Sequence, residues 1–329
     1  MTTRRRFIAG AAALATAAVS DRSRAQSPIQ IRISTAAPPA DFLTKALNAL
    51  ATEVNQAGVG LAVTVHPAST LFKQGTEVPA IQRGNLEMST MTTFEVAQQI
   101  PQLGYFNRAY LLKDYDQLRR VFSGPIGDDV RKAVADKMGI EILSTHYLGT
   151  RQVNIRQKRS VKTPADLAGI KMRMPAGPEW LLLGETLGVT PIPMGMPEVY
   201  LALKTGTVDG QENPLTILNA AKFYEVTAQI VLTAHMVQPV FFNIGKPVWD
   251  KLTAQQKKVL GDACVKAAKG GDDARLNDEQ AVVTALKGRG LTVDTIDLAP
   301  FRANADRVYA KSSLAKQWDA AGLARAQKA

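Results

Sequence analysis

The first regular pattern starts at residue 29, where Ile29, Ile31 and Ile33 alternate with Gln30, Arg32 and Ser34. A period of two predicts a strand with one buried face. Over 41–57 the spacing changes. Leu43, Leu47, Leu50 and Val54 fall on one helical stripe, and Gly58 supplies a stop. A second strand is expected over 61–65, ahead of the turn at His66-Pro67, with a short helix after it. The run Gly84-Asn85-Leu86-Glu87-Met88 reads as a turn into a buried strand. Strands alternating with helices argue for a mainly parallel sheet covered by helices.

The pattern restarts after Gly139. Residues 140–145 read as a strand, and 147–154 as a further extended stretch. Thr163-Pro164-Ala165-Asp166 has the chemistry of a helix start, with threonine as cap and proline in the first position. Gly169 closes that short helix. In the next strand Ile170, Met172 and Met174 oppose Lys171 and Arg173. Helices are expected over 178–187 and 197–205. A long helical stretch over 253–287 carries Gly270-Gly271, placed to kink or divide it. At 329 residues the chain exceeds what one core usually serves. Two αβ sets joined by extended crossings predict two lobes around a cleft, and ligands in such sheets sit beyond the carboxyl ends of strands.

Residues 1–25 read as an export signal. Arg4, Arg5 and Arg6 precede Phe7, Ile8 and a mild apolar run over 9–19, and Ser23 and Ala25 offer a cleavage site. The order Thr3-Arg4-Arg5-Arg6-Phe7-Ile8 resembles a twin-arginine leader; an ordinary secretory signal with three arginines is the other reading. Both place the mature chain in the periplasm. Residues 1–25 hold five Arg and one Asp, so cleavage there takes the net charge from +11 to +7.

Composition narrows the function by exclusion. No stretch beyond the leader approaches the roughly 20 apolar residues of a membrane helix. The remaining positive charge is spread out, and the one basic cluster, Arg156-Gln157-Lys158-Arg159, has no interleaved aromatics, so no nucleic acid is expected as partner. Cys264 is the single cysteine, in an apolar stretch that reads as core, and it has no second cysteine to pair with. His66, His146 and His235 lack metal-ligand spacing, and no metal or other cofactor is expected. The chain also lacks the nucleophile elbow, Walker loop, dinucleotide-binding glycine pattern and zinc-protease helix motif.

The positive signals are polar residues at strand ends. Arg173 follows a buried-looking strand and precedes Pro175. A guanidinium there could give a carboxylate two parallel hydrogen bonds, or it could be a surface arginine on a polar strand face. In Asp209-Gly210-Gln211-Glu212-Asn213-Pro214 a turn leads into a short strand, leaving Asn213 at its end with an amide to donate and accept. These groups could equally tie the strand to neighbouring backbone, and Glu198 and Asp209 are as readily structural as functional.

The stretch EVYLALKTGTVDGQENP over 198–214 closely resembles the signature of the solute-binding subunits of tripartite ATP-independent periplasmic (TRAP, DctP-like) transporters. Leu148-Gly149-Thr150-Arg151 looks like that family's Gly-x-Arg segment, and residues 162–173 (KTPADLAGIKMR) like its T-P-x-D-L-x-G-x-K-x-R block. Lys222-Phe223-Tyr224-Glu225-Val226 and Leu252-Thr253 also fit. The likeness spans nearly the whole mature chain and is densest over 148–226.

The resemblance implies an α/β, two-lobed periplasmic-binding-protein fold with the ligand cleft between lobes and a long bracing helix. It implies lobes at 27–148 plus 239–278 and at 149–238 plus 279–329. By likeness, Arg173 matches the arginine that pairs with the ligand carboxylate, Arg151 the second arginine at the crossing, and Asn213 the amide that helps fix the carboxylate. Met196 stands where many members place an aromatic residue. Gln238 is expected on the far wall; Phe241 and Phe242 are wall or core. From the first lobe Thr35 and Thr92 are expected at the cavity, in a set with Lys73, Gln74, Thr93 and Glu95 that matches no substrate pattern. Lys73 would meet a second anionic group or stand as a solvated loop lysine. The implied function is a monomeric receptor that closes on a small organic acid and delivers it to a TRAP permease. Two other classes fit the sequence: an extracytoplasmic sensor domain, and a periplasmic enzyme using Glu198, Asp209 or His146 as acid or base.

Overall fold

The computed structural model describes residues 27–329, so the export-signal reading of 1–25 lies outside the described residues. In chain order the strands are β1 (Ile29–Ser34), β2 (Leu61–His66), β3 (Met88–Thr92), β4 (Ile140–Ile155), β5 (Lys171–Met174), β6 (Thr190–Pro193), β7 (Gly210–Pro214), β8 (Gln229–Gly245) and β9 (Thr292–Thr295). The helices are α1 (Phe42–Gln56), α2 (Glu77–Gln82), α3 (Thr93–Gln99), α4 (Tyr115–Ser123), α5 (Pro125–Met138), α6 (Pro178–Thr186), α7 (Val199–Thr205), α8 (Leu215–Ala220), α9 (Lys246–Trp249), α10 (Ala254–Gly288), α11 (Ala299–Lys311) and α12 (Ala320–Lys328).

Each half has the parallel character the alternation predicts: β2, β1 and β3 are parallel in one lobe, and β6, β5 and β7 in the other. The sheet as a whole is mixed rather than mainly parallel. Its order is β2-β1-β3-β8-β4-β7-β5-β6, with β9 on β8, and β8 runs antiparallel to β3 and β4. The two extended stretches expected after Gly139 are one strand of 16 residues. It pairs with β8 through the first lobe and on into the second, so these two strands are the crossings. Their register shifts at three places, between Ile142/Ser144, Tyr147/Gly149 and Arg151/Val153. Extra residues of this kind twist a ladder and re-aim side chains.

Gly149 sits at the middle shift with φ +122, and a Cβ there would lie 2.5 Å from Pro214 Cβ. Only glycine accepts both the backbone angle and the approach of β7.

The Gly270-Gly271 pair does not divide the long helix. α10 is a single helix of 35 residues, about 52 Å long, opened by a Thr253/Gln256 capping box. Gly271 serves close packing instead: a Cβ would fall 2.8 Å from His146 Cε1. The helix braces both lobes, contacting α1 and β4 on one side and α8 and β9 on the other. Arg275, fully buried on it, pairs with Asp41 at the cap of α1 (2.8 Å) and donates to Thr216 on α8.

Cys264 is buried in the core under α10, as its apolar neighbours imply, and Phe241 and Phe242 are core rather than cavity wall. The last helix returns to the first lobe. Ala326 of α12 packs in the core formed by α4 and α5, and Gln117 donates to its carbonyl oxygen.

Candidate functional site

The carboxyl ends of β1, β3, β5 and β7 converge on one cavity between the lobes, with a volume of about 90 Å3. That is room for several waters or a small solute. Of the residues expected there, Thr35, Gln74, Thr92, Glu95, Arg151, Arg173, Met196, Asn213 and Gln238 line it, and Lys73 and Thr93 do not.

Arg173 is 1 % exposed, against the period-two pattern that puts it on a polar face. The pattern misleads because the polar face of β5 changes surroundings along its length: Lys171 is exposed, whereas at the carboxyl end Gln74 and Met196 cover Arg173 inside the cleft. Its Nε donates to the carbonyl of Met194 (2.9 Å), one terminal nitrogen to Gln74 Oε1 (2.9 Å), and the other lies 3.9 Å from Met196 Sδ. Each of these partners is neutral. Burial pushes the guanidinium down to about 9, which Glu212 opposes and Arg151 reinforces. It remains a cation at neutral pH.

Arg151 also lines the cavity, but its charge is already matched. Nε and one terminal nitrogen engage both carboxylate oxygens of Glu212, and that nitrogen also reaches the Glu212 carbonyl at 2.6 Å. The other terminal nitrogen donates to Gln238 Oε1 (2.6 Å), leaving one of its five N–H groups. Burial raises Glu212, yet Arg151 and His235 outweigh it and hold the carboxyl down at about 2. Arg151 is therefore a built part of the wall, and Arg173 is the cavity's cation with no ion-paired carboxylate among the described residues.

Gln238 gives its oxygen to Arg151, and its buried Nε2 has no partner among the described residues. Asn213 is less free than the turn motif implies: Nδ2 donates to Gln211 Oε1 (2.7 Å), leaving one N–H and the carbonyl. Thr35 takes a hydrogen bond from Thr90 (2.9 Å), and Thr92 caps α3 in a box with Glu95. Lys73 is exposed and outside the cavity; its neighbour Gln74 lines it instead.

Among the wall residues that sequence reasoning missed, Trp180, Glu77 and Thr90 bring the most chemistry. Trp180 supplies the aromatic surface that Met196 does not. Its ring stacks on Phe94 (3.5 Å between centroids, 5° between planes) and carries the Arg151 guanidinium at 5.0 Å. Its place just after the Arg173 strand was the available signal. Burial pushes Glu77 up to about 7, backbone hydrogen bonds at the start of α2 opposing and Glu95 adding to the rise. Glu95 is raised as well, again by burial and against its bonds to Thr92. The cavity thus has a cationic second-lobe wall and an acidic, hydroxyl-bearing first-lobe wall. Glu198, Asp209 and His146, the acid–base candidates, lie outside it. His146 is buried against Asp272 at 2.5 Å. Among the described residues no helix is long and apolar enough to cross a membrane.

Comparison with known proteins gives a consistent set of relatives. Residues 33–316 match the family model described as bacterial extracellular solute-binding protein, family 7 (DctP). The sialic acid-binding periplasmic protein SiaP of Vibrio cholerae is 31 % identical over 257 residues, covering 78 % of this chain and 79 % of that protein. A TRAP periplasmic solute-binding protein of Roseobacter denitrificans, solved with 3-deoxy-D-manno-oct-2-ulosonic acid bound, superposes with a TM-score of 0.88. It is 38 % identical and covers 92 % of this chain and 99 % of its own. A third, from Polaromonas sp. JS666 with bound D-erythronate, has a TM-score of 0.83 at 29 % identity, covering 91 % and 98 %.

Proposed function

This chain belongs to bacterial extracellular solute-binding protein family 7 (DctP), and on that footing we propose that it captures a small organic acid by cleft closure and delivers it to a TRAP-type membrane permease. Arg173 carries the reading. A guanidinium buried among neutral partners is costly, and an entering carboxylate supplies the missing charge through two parallel hydrogen bonds. Gln238 Nε2 and the remaining Asn213 N–H are the nearby donors for the same group. Arg151, held by Glu212, stiffens the wall and offers one further N–H.

The opposite wall limits the rest of the ligand. A second carboxylate would face Glu77 and Glu95, whereas hydroxyl groups suit those acids and the threonines at 35, 90 and 92. The ligand class is therefore a monocarboxylate with a hydroxylated tail, ahead of a dicarboxylate. The acids in the relatives' names, 3-deoxy-D-manno-oct-2-ulosonic acid and D-erythronate among them, support that class.

Ligand binding alone needs no catalytic residue, and the reading is of a receptor, not an enzyme. It works as a periplasmic monomer after loss of the leader at 1–25. The lobes are 27–148 plus 239–278 and 149–238 plus 279 onward, with α12 docked back on the first. Closure follows if the ligand favours the closed form over the open one; equal affinity would shift nothing.

The test is a thermal-shift screen of sugar acids, keto acids and dicarboxylates, followed by calorimetry on the hits. A ligand at 100 times its Kd stabilises by about 2.7 kcal/mol. Arg173→Ala should abolish the binding with the fold intact. Arg173→Lys should bind poorly, because an ammonium lacks the fork. Undiminished affinity in both variants, or chemical turnover of the hit, refutes the reading.

A further inference from the structure

Gln74 stands on the rim of the first lobe, in the turn before α2, where Gly75 takes a φ of +86. Its Oε1 accepts from the Arg173 guanidinium and from the backbone N–H of Met196, each at 2.9 Å. Both donors belong to the second lobe, so one carbonyl oxygen uses both lone pairs across the cleft. The other hydrogen bonds of Arg173 stay within its own lobe, to Met194 O and Met196 Sδ. Gln74 is half-buried, so its place at the rim is not dictated by the core.

We propose that Gln74 is the closure latch of this receptor, a positioning residue that ties the first lobe to the Arg173 guanidinium while leaving its charge uncancelled. The inference rests on the organic-acid reading of the same cavity. Consider the alternatives at position 74. A carboxylate would neutralise Arg173 from within and close the empty cleft on itself. An apolar side chain would leave the Arg173 terminal nitrogen and the Met196 N–H without their acceptor whenever the lobes meet. The amide lies between these limits. It shifts the balance towards closure by about tenfold or more, the worth of a hydrogen bond to a charged donor. The charge itself still awaits an anionic solute. Closure then depends on occupancy, as a receptor that must signal its loaded state requires.

The test uses the mature chain without any ligand. Small-angle X-ray scattering compares Q74A with Q74E, and each again in an R173A background. Q74E should be the more compact of the first pair, with a closed-to-open ratio at least tenfold higher, and the difference should shrink to what the Met196 N–H alone supports once Arg173 is gone. Hydrogen exchange gives a local readout: the Met196 amide should exchange faster in Q74A than in the wild type. Should Q74E fail to fold, Q74A against the wild type, with and without R173A, makes the same comparison. Equal scattering and equal Met196 exchange would overturn the latch. So would a Q74E compaction that is undiminished without Arg173. Because these readouts need no ligand, they can fail while Arg173→Ala still abolishes acid binding. In that case the latch falls and the receptor reading stands.

Discussion

Arg151 and Arg173 line one cavity, yet truncating them should move stability in opposite directions. Arg151→Ala strands the carboxylate of Glu212, which is 0 % exposed and keeps only His235 at 3.0 Å, and takes from Gln238 Oε1 its donor. Removing one partner of a buried pair costs about 3–5 kcal/mol. For a chain of this size the midpoint falls by roughly 1.6 °C per kcal/mol, or about 5–8 °C. Arg173→Met works the other way. The fall of the guanidinium from 12.5 to about 9 corresponds to on the order of 5 kcal/mol of unfavourable burial. Against that, the oxygens of Met194 and Gln74 each lose a donor, at about 1 kcal/mol apiece. The net gain is on the order of 3 kcal/mol, a rise of about 5 °C. Differential scanning calorimetry of the ligand-free proteins decides it. If Arg173→Met melts as low as Arg151→Ala, the unpaired-cation argument is wrong.

Other predictions follow from the same geometry. Glu77, raised by burial to about 7, binds a proton more readily folded than unfolded, so its burial penalty is absent below pH 4.5 and complete above about 7. Glu77→Gln should therefore stabilise the protein at pH 8 by roughly 2–3 kcal/mol and change little at pH 4.5, read from denaturant midpoints at the two values. Glu212 works with the opposite sign: held at about 2, it contributes stability above pH 4.5 that is lost as pH falls towards 2, visible as acid unfolding that Glu212→Gln shifts. Gly149→Ala meets both a left-handed φ and Pro214, and should lower the midpoint by several degrees, checked by calorimetry. Calorimetric titration with a sugar monoacid and its diacid should show at least tenfold preference for the monoacid, narrowed in Glu77→Gln.

Much of the architecture was legible because its causes are local. The helical stripe of Leu43, Leu47, Leu50 and Val54 and the alternation of Ile29, Ile31 and Ile33 each state which face is buried. The cavity lining was legible where motifs of fixed spacing mark it, at Arg151, Arg173 and Asn213. The rest depends on contacts distant in sequence. The partner of Arg151 is Glu212, 61 residues away, and nothing near either position reveals that one arginine is paired and the other is not. Gly271 looked like a helix breaker because its reason, the His146 ring, is supplied by another element. Gln74, in the turn before α2, and Glu77, at the start of that helix, acquire meaning only when the second lobe is brought across from them.

A crystal structure of the receptor with its screened acid shows whether an anionic solute completes the unpaired Arg173. A carboxylate oxygen should lie within hydrogen-bond distance of the Arg173 guanidinium, with Glu212 still on Arg151 and the hydroxylated end of the ligand against Glu77. A carboxylate bound elsewhere, with Arg173 turned to bulk water, would contradict it.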